Sequence, residues 1–259
     1  MNKYFIFSRK VINHFLGWLQ YIFGIKPLSV FVLCYHGIGD ANNFYNVTVD
    51  NFRKQMDYLS TFTSFISLEQ LGLYLDGKMN LSGPAVAITF DDGYQSVLQI
   101  REIIKKYNIK PAIFVISDPG KINRVEIEND YSLLNTKDIK TLIKDQWDIG
   151  SHSKTHESFA KLTKSKIIEE VIDSKSALSR DLGIDIKYFA YPKGVYSTPI
   201  VEAAKQAKYQ LAFSMDDNPL MPGTDKLTIS RIGINASHSL QEFKYLFTPW
   251  VQKMRKVLK

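Results

Sequence analysis

Three short stretches carry side chains that can do chemistry. Thr89-Phe90-Asp91-Asp92-Gly93 closes the apolar run Ala85–Phe90. Adjacent carboxylates leaving a strand point in different directions, so one can ligate a metal ion while its neighbour reaches a water beside that ion. The same residues also suit an ordinary strand that ends in an Asp-Gly turn. Ser151-His152-Ser153-Lys154-Thr155-His156 follows the run Trp147–Gly150. Histidines four apart fall on one face of a helical turn, and with a carboxylate they make a facial His₂Asp site for zinc or a similar divalent ion. The third stretch, Phe189-Ala190-Tyr191-Pro192-Lys193-Gly194, also ends an apolar run. A Pro-x-Gly turn there can present backbone N–H groups to a developing oxyanion. The single cysteine, Cys34, excludes a disulfide framework and a multi-thiolate metal site.

Distant motifs need a frame that brings them together. Strands are expected at Val30–Tyr35, Ala85–Phe90, Ala112–Ile116, Trp147–Gly150, Lys187–Tyr191, Gln210–Ser214 and Thr228–Ile232, with a weaker one at Phe65–Ser67. Helical patterns lie between them: Asn51–Ser60 capped by Asp50, Leu68–Leu75 capped by Ser67, Lys137–Lys144 capped by Thr136, and a long periodic stretch from Thr163 to Leu182 before Gly183. Segments Asp118–Ser132 and Asp216–Lys226 are expected to be long loops. Alternation of this kind predicts an α/β fold, a TIM-like (β/α) barrel of seven or eight units. In such a barrel the first two motifs sit at strand C-terminal ends, where barrel active sites form.

The 259 residues carry a formal net charge of +7, which suggests a polyanion binder until the charge is located. Residues 1–27 hold Lys3, Arg9, Lys10 and Lys26 with no acid, and residues 252–259 hold Lys253, Arg255, Lys256 and Lys259 with none. Without these, 25 of the 33 basic residues face 26 acidic ones, so the body is nearly neutral and nucleic acid is disfavoured as a partner. Val11, Ile12, Phe15, Leu16, Leu19, Ile22 and Phe23 recur at helical spacing. The uncharged run Val11–Ile25 would be roughly 22 Å long, short of a membrane core of about 30 Å. An in-plane amphipathic helix on an anionic membrane surface is the preferred reading over a signal peptide or a helix packed on the protein's own core. The expected organisation is a membrane-associated helix at 1–27, a barrel at 28–251 and a basic tail at 252–259. No protein partner is inferable, and nothing fixes the side of the membrane.

In order and content the three motifs resemble the polysaccharide deacetylases of carbohydrate esterase family 4, the NodB-homology fold, over roughly Val30 to Phe247. Cys34-Tyr35-His36-Gly37 and the Ala-Tyr-Pro-x-Gly turn are most similar to the branch that deacetylates N-acetylglucosamine polymers of the bacterial envelope. The resemblance implies a distorted TIM-like (β/α) barrel in which Asp91 is the catalytic base and Asp92, His152 and His156 bind a divalent metal, zinc before cobalt or nickel. It also implies that the Lys193 main-chain N–H serves the oxyanion, with Tyr191 and Tyr94 at the substrate. The family's third motif commonly has an arginine where this chain has Ala190 and a tyrosine where it has Lys193; Arg231 is a candidate replacement for that cation. The family's Leu-x-His acid motif has no clear counterpart, and both His36 and His238 are candidates for the acid. The implied activity is metal-dependent release of acetate from an N-acetylated glycan or its precursor in the cell envelope. Alternatives are hydrolysis of another amide or cyclic imide on the same fold, or a non-catalytic glycan-binding barrel.

Overall fold

Two runs, VFVLCY and AVAITF, are buried along their whole length, as strands covered on both faces must be. They are β1 (Val30–Tyr35) and β3 (Ala85–Phe90) of an eight-stranded, all-parallel sheet. The others are β2 (Ser64–Phe65), β4 (Ala112–Val115), β5 (Asp148–Ser151), β6 (Tyr188–Ala190), β7 (Leu211–Phe213) and β8 (Ile232–Gly233). The order across the sheet is β7-β6-β5-β4-β3-β1-β8, with β2 also paired to β3. This computed structural model describes residues 29–40, 43–122 and 132–251, together with Val11, Phe15, Trp18, Leu19, Ile22 and Lys253.

The helices are α1 (Val49–Leu59), α2 (Leu68–Leu75), α3 (Arg101–Lys106) after a 3₁₀ turn Gln95–Ile100, α4 (Thr136–Lys144), α5 (Lys164–Ile168), α6 (Ser174–Leu182), α7 (Thr198–Gln206) and α8 (Leu240–Tyr245). The last residues of α5 run through a π turn, Glu169–Asp173, into α6. Left-handed Gly183 (φ 71°) then stops the run. Ser67 caps α2 as expected, and Gln70 completes a capping box with it. Two caps differ from expectation. Thr48, not Asp50, caps α1, because Asp50 lies in the first turn where its charge favours the helix dipole. Asn135, not Thr136, caps α4 and shares a capping box with Asp138.

Alternation along the strands divides the core in two. Val30, Val32, Ala85, Ala87, Ala112, Phe114, Tyr188, Ala190, Leu211, Phe213 and Ile229 fill the barrel interior. Phe31, Leu33, Val86, Ile88, Phe90, Ile113 and Ile149 pack outward under the helices. Continuing the inward series in steps of two places Cys34 and, just past β1, His36, with Thr89 and, just past β3, Asp91, at the barrel mouth. β1 and β3 are in register, Tyr35 opposite Phe90, so both series end level.

The expected strand Thr228–Ile232 is split in two. Ile229 bridges to Phe213 on β7, whereas Ile232 and Gly233 pair with Leu33 and Cys34 on β1. The segment therefore spans the seam between the two ends of the sheet and cannot stay paired with one neighbour throughout. Of the 1–27 helix, Val11, Phe15, Trp18, Leu19 and Ile22 are helical. The rest of that segment, most of the 252–259 tail and residues 123–131 of the expected Asp118–Ser132 loop lie outside the described residues. Among the described residues no helix is long and apolar enough to cross a membrane.

Candidate active site

Asp91 is the first residue beyond β3, its N–H donating to Tyr35 O at 2.9 Å. Its carboxylate receives Arg231 in a two-point grip, Nη1 to Oδ1 and Nη2 to Oδ2, each at 2.7 Å. Arg231 is 0% exposed. It also donates to Thr89 Oγ1 at 3.2 Å and to Ser214 O at 3.4 Å, and lies 5.5 and 5.7 Å from the Phe114 and Phe213 rings. Burial alone would push the Asp91 carboxyl up, but Arg231, with His152 and His36, outweighs it and holds the group well below the usual carboxylate range. The Arg231 pair thus favours the ionised form of Asp91. The Cys34 thiol donates to Asp91 Oδ2 at 3.3 Å and stays protonated because burial pushes it far up.

The next residue faces elsewhere because the backbone turns left-handed at Asp92 (φ 68°) and Gly93 (φ 74°). Asp92 Oδ1 lies 3.3 Å from His152 Nε2 and 3.4 Å from His156 Nε2. His152 continues from β5, its N–H donating to Val115 O at 2.8 Å. Its Nδ1 is 2.9 Å from Ala190 O, which fixes the tautomer with Nδ1 as donor and leaves the Nε2 lone pair facing Asp92. The two histidines do not share a helical turn as their spacing suggested. Ser153 (φ 67°) and His156 (φ 61°) are left-handed, and an irregular loop rather than a helix brings the rings together at 4.9 Å.

Three ligand atoms, one each from Asp92, His152 and His156, lie within 4.8 Å of one another, all buried. Asp92 Oδ1 accepts no hydrogen bond among the described residues. Three lone pairs converging in a buried place fit a divalent cation, and two imidazoles with one carboxylate are a set that zinc-like ions accept. Cys34, His36 and Asp91 form a second group equally close together. There the guanidinium of Arg231 already matches the carboxylate charge.

A cavity of about 450 Å³ opens over these groups, lined by His36, Asp91, Asp92, His152 and His156 and walled by Tyr45, Tyr94, Lys193, Met215 and Asn235. His36 Nδ1 has no hydrogen-bond partner among the described residues, and the ring sits 5.1 Å from Tyr45. His238, the other acid candidate, does not line the cavity; its Nδ1 accepts from Asn235 N at 3.2 Å. Lys193 is left-handed (φ 58°) at the cavity wall, as a turn presenting its backbone requires. Tyr94 lines the cavity, but Tyr191 does not. Tyr191 is 0% exposed and its hydroxyl donates to Leu227 O at 2.8 Å, because the residue faces the core between sheet and helices. Tyr45 and Cys34 were not anticipated beside the reacting groups. Tyr45 gives no signal in a polar loop, whereas Cys34 shares the two-residue period that leads to His36.

Residues 78–212 match the family model described as polysaccharide deacetylase. The chain belongs to the polysaccharide deacetylase family. As a member it is a carbohydrate deacetylase, a hydrolase with a metal site. A poly-beta-1,6-N-acetyl-D-glucosamine N-deacetylase of Staphylococcus aureus is 26% identical over 251 residues, covering 87% of this chain and 84% of that protein. Among solved structures, IcaB from Ammonifex degensii is 26% identical with a TM-score of 0.74, over 88% of this chain and 98% of that one. Streptococcus pyogenes deacetylase PplD shares the fold, with a TM-score of 0.73 at 22% identity, over 86% of this chain and all of that one. This deacetylase therefore has the (β/α) barrel that its strand pattern predicts, distorted as the family resemblance implies.

Proposed function

We propose that this deacetylase removes the N-acetyl groups of an N-acetylglucosamine polymer of the bacterial envelope, or of its precursor, with β-1,6-linked chains as the favoured substrate. The linkage follows the Staphylococcus aureus relative, which this chain matches over most of both lengths. The observation that carries the chemistry is the buried Asp92-His152-His156 cluster beside an Asp91 gripped at two points by Arg231. Asp92, His152 and His156 would hold a divalent ion, zinc favoured and cobalt or nickel possible. When bound, such an ion supplies Lewis-acid activation of water and of the acetyl carbonyl.

The chain's own residues do the rest. Asp91 takes the proton from the attacking water, and Arg231 keeps the carboxylate ionised and oriented for it. The Lys193 main-chain N–H stabilises the oxyanion that forms at the acetyl carbonyl oxygen. His36 donates a proton to the departing sugar nitrogen as the C–N bond breaks, leaving acetate and a free amine. Its place in the cavity favours His36 over His238 for this step. Tyr94 would contact the sugar.

Acetate release from β-1,6-linked N-acetylglucosamine oligomers, alongside chitin oligomers and acetylated xylan, tests the proposal with and without chelator and with Asp91→Asn. Chelator-sensitive release from the β-1,6 oligomers that Asp91→Asn abolishes is expected. No metal-dependent release from any of them would overturn it.

The N-terminal helix is proposed as a membrane-surface anchor. Val11, Phe15, Trp18 and Ile22, each 52–56% exposed, recur at helical spacing and so make one uncovered apolar stripe. Lys3, Arg9, Lys10 and Lys26 flank it with positive charge suited to anionic lipid.

A further inference from the structure

Glu170 is a carboxylate in an unusual place, 2% exposed in the π turn between α5 and α6 and away from the cavity. A buried charge is costly unless hydrogen bonds compensate it. Glu170 accepts three, all from one short loop. Oε2 receives the N–H groups of Lys154 and Thr155, both at 2.9 Å, and Oε1 receives the Thr155 hydroxyl at 2.7 Å. That loop joins His152 to His156.

The loop is irregular, with left-handed Ser153 and His156 at its two ends, a conformation that persists only where surroundings impose it. Within it, Ser153 Oγ accepts from His156 N at 3.0 Å. From outside, the π turn and the first residue of α6 grip the chain on both sides of His152. Ser151 Oγ donates to Ser174 Oγ at 2.9 Å just before it, and Glu170 holds Thr155 just after. The π turn is itself secured, since the Val171 carbonyl accepts from Ser174 Oγ at 3.0 Å and Tyr209 Oη at 3.1 Å. Single π turns of this kind occur often at functional sites.

We propose that Glu170 is a positioning residue for metal capture, setting the separation of His152 and His156 by clamping the amides of Lys154 and Thr155. This rests on Asp92, His152 and His156 being the metal ligands. Loss of groups that orient metal ligands without touching the ion typically costs about 10- to 100-fold in metal affinity or activity.

The test uses full-length protein stripped of metal and titrated with Co²⁺ against a chromophoric chelator, following the visible d–d absorption, with thermal melting of the metal-free forms. Glu170→Gln keeps the shape and removes the charge, and it is expected to weaken Co²⁺ binding about 10-fold and to change the d–d band. Thr155→Val, which deletes one donor to Glu170, is expected to weaken binding in the same direction by less. Wild-type affinity and spectrum in both variants, even with a lowered melting temperature, would overturn the proposal and leave Glu170 a stability residue only. Should Glu170→Gln fail to fold, an unchanged Thr155→Val overturns it alone. His156→Ala separates the two ideas: if that variant binds Co²⁺ as tightly as wild type, the ligand assignment fails rather than the role of Glu170.

Discussion

At Asp91 two large influences oppose each other. Burial favours the neutral acid and Arg231 favours the carboxylate, and the guanidinium wins because both its N–H arms sit 2.7 Å from the carboxylate oxygens. Arg231→Met removes the largest influence opposing burial, so the carboxyl pKa rises. The expected outcome is an acid limb of the kcat/KM profile displaced to higher pH, with activity lost at neutrality and recovered in part at alkaline pH. For stability the sign reverses between wild type and variant. The folded wild-type pKa is depressed, so the pair's contribution is complete above the unfolded value of about 3.9 and fades as pH falls below it. In the variant the folded value is raised, and stability falls instead as pH climbs above about 4; melting curves across pH separate the two. Asp91→Asn removes the proposed base and should cost about 10² to 10⁴ in kcat. Asp91, Asp92, His152 and His156 were all legible as candidates because their types and spacing are chemically unusual. That Arg231 reaches Asp91 was open in the sequence, because the two lie 140 residues apart.

The elements show which local signals suffice. Ser67 with Gln70, and Ser239 with Glu242, cap their helices as their spacing predicts, since a capping box is satisfied within four residues. Strand interiors were legible for the same reason: burial on both faces demands an unbroken apolar run. The His152–His156 turn was not, because spacing alone cannot distinguish a helical turn from a loop held by Glu170. Gly150 makes an element-scale prediction. A Cβ there would stand 2.4 Å from the Phe114 ring and 3.0 Å from the Tyr188 carbonyl, inside the barrel. Gly150→Ala is expected to lower stability by about 1–3 kcal/mol, read by denaturant unfolding, and to disturb metal binding through the adjoining His152.

Over the whole molecule, segment 229–233 closes the sheet and carries Arg231 inward between β7 and β1. One seam thus completes both the barrel and the site, so unfolding and metal loss should be coupled. Saturating Zn²⁺ is expected to raise the melting temperature of the wild type and not that of His156→Ala, measured by calorimetry before and after chelation. The basic ends make a separate prediction. A chain beginning at Leu28 should keep acetate release from soluble oligomers and lose flotation with anionic vesicles; equal flotation of both chains would show that the helix is not the anchor.

The sequence by itself determined the fold class, the near-neutral body between basic ends, and the residues able to bind a metal and move a proton. Each of these rests on local composition or on a period of two or 3.6 residues, and such patterns are written along the chain. Only the tertiary structure decided the cation for Asp91, the placement of His36 and not His238 at the cavity, the withdrawal of Tyr191 into the core and the clamp on the histidine loop. Those depend on which side chains meet across the barrel mouth, and that is set by strand order and register over separations that no local pattern encodes.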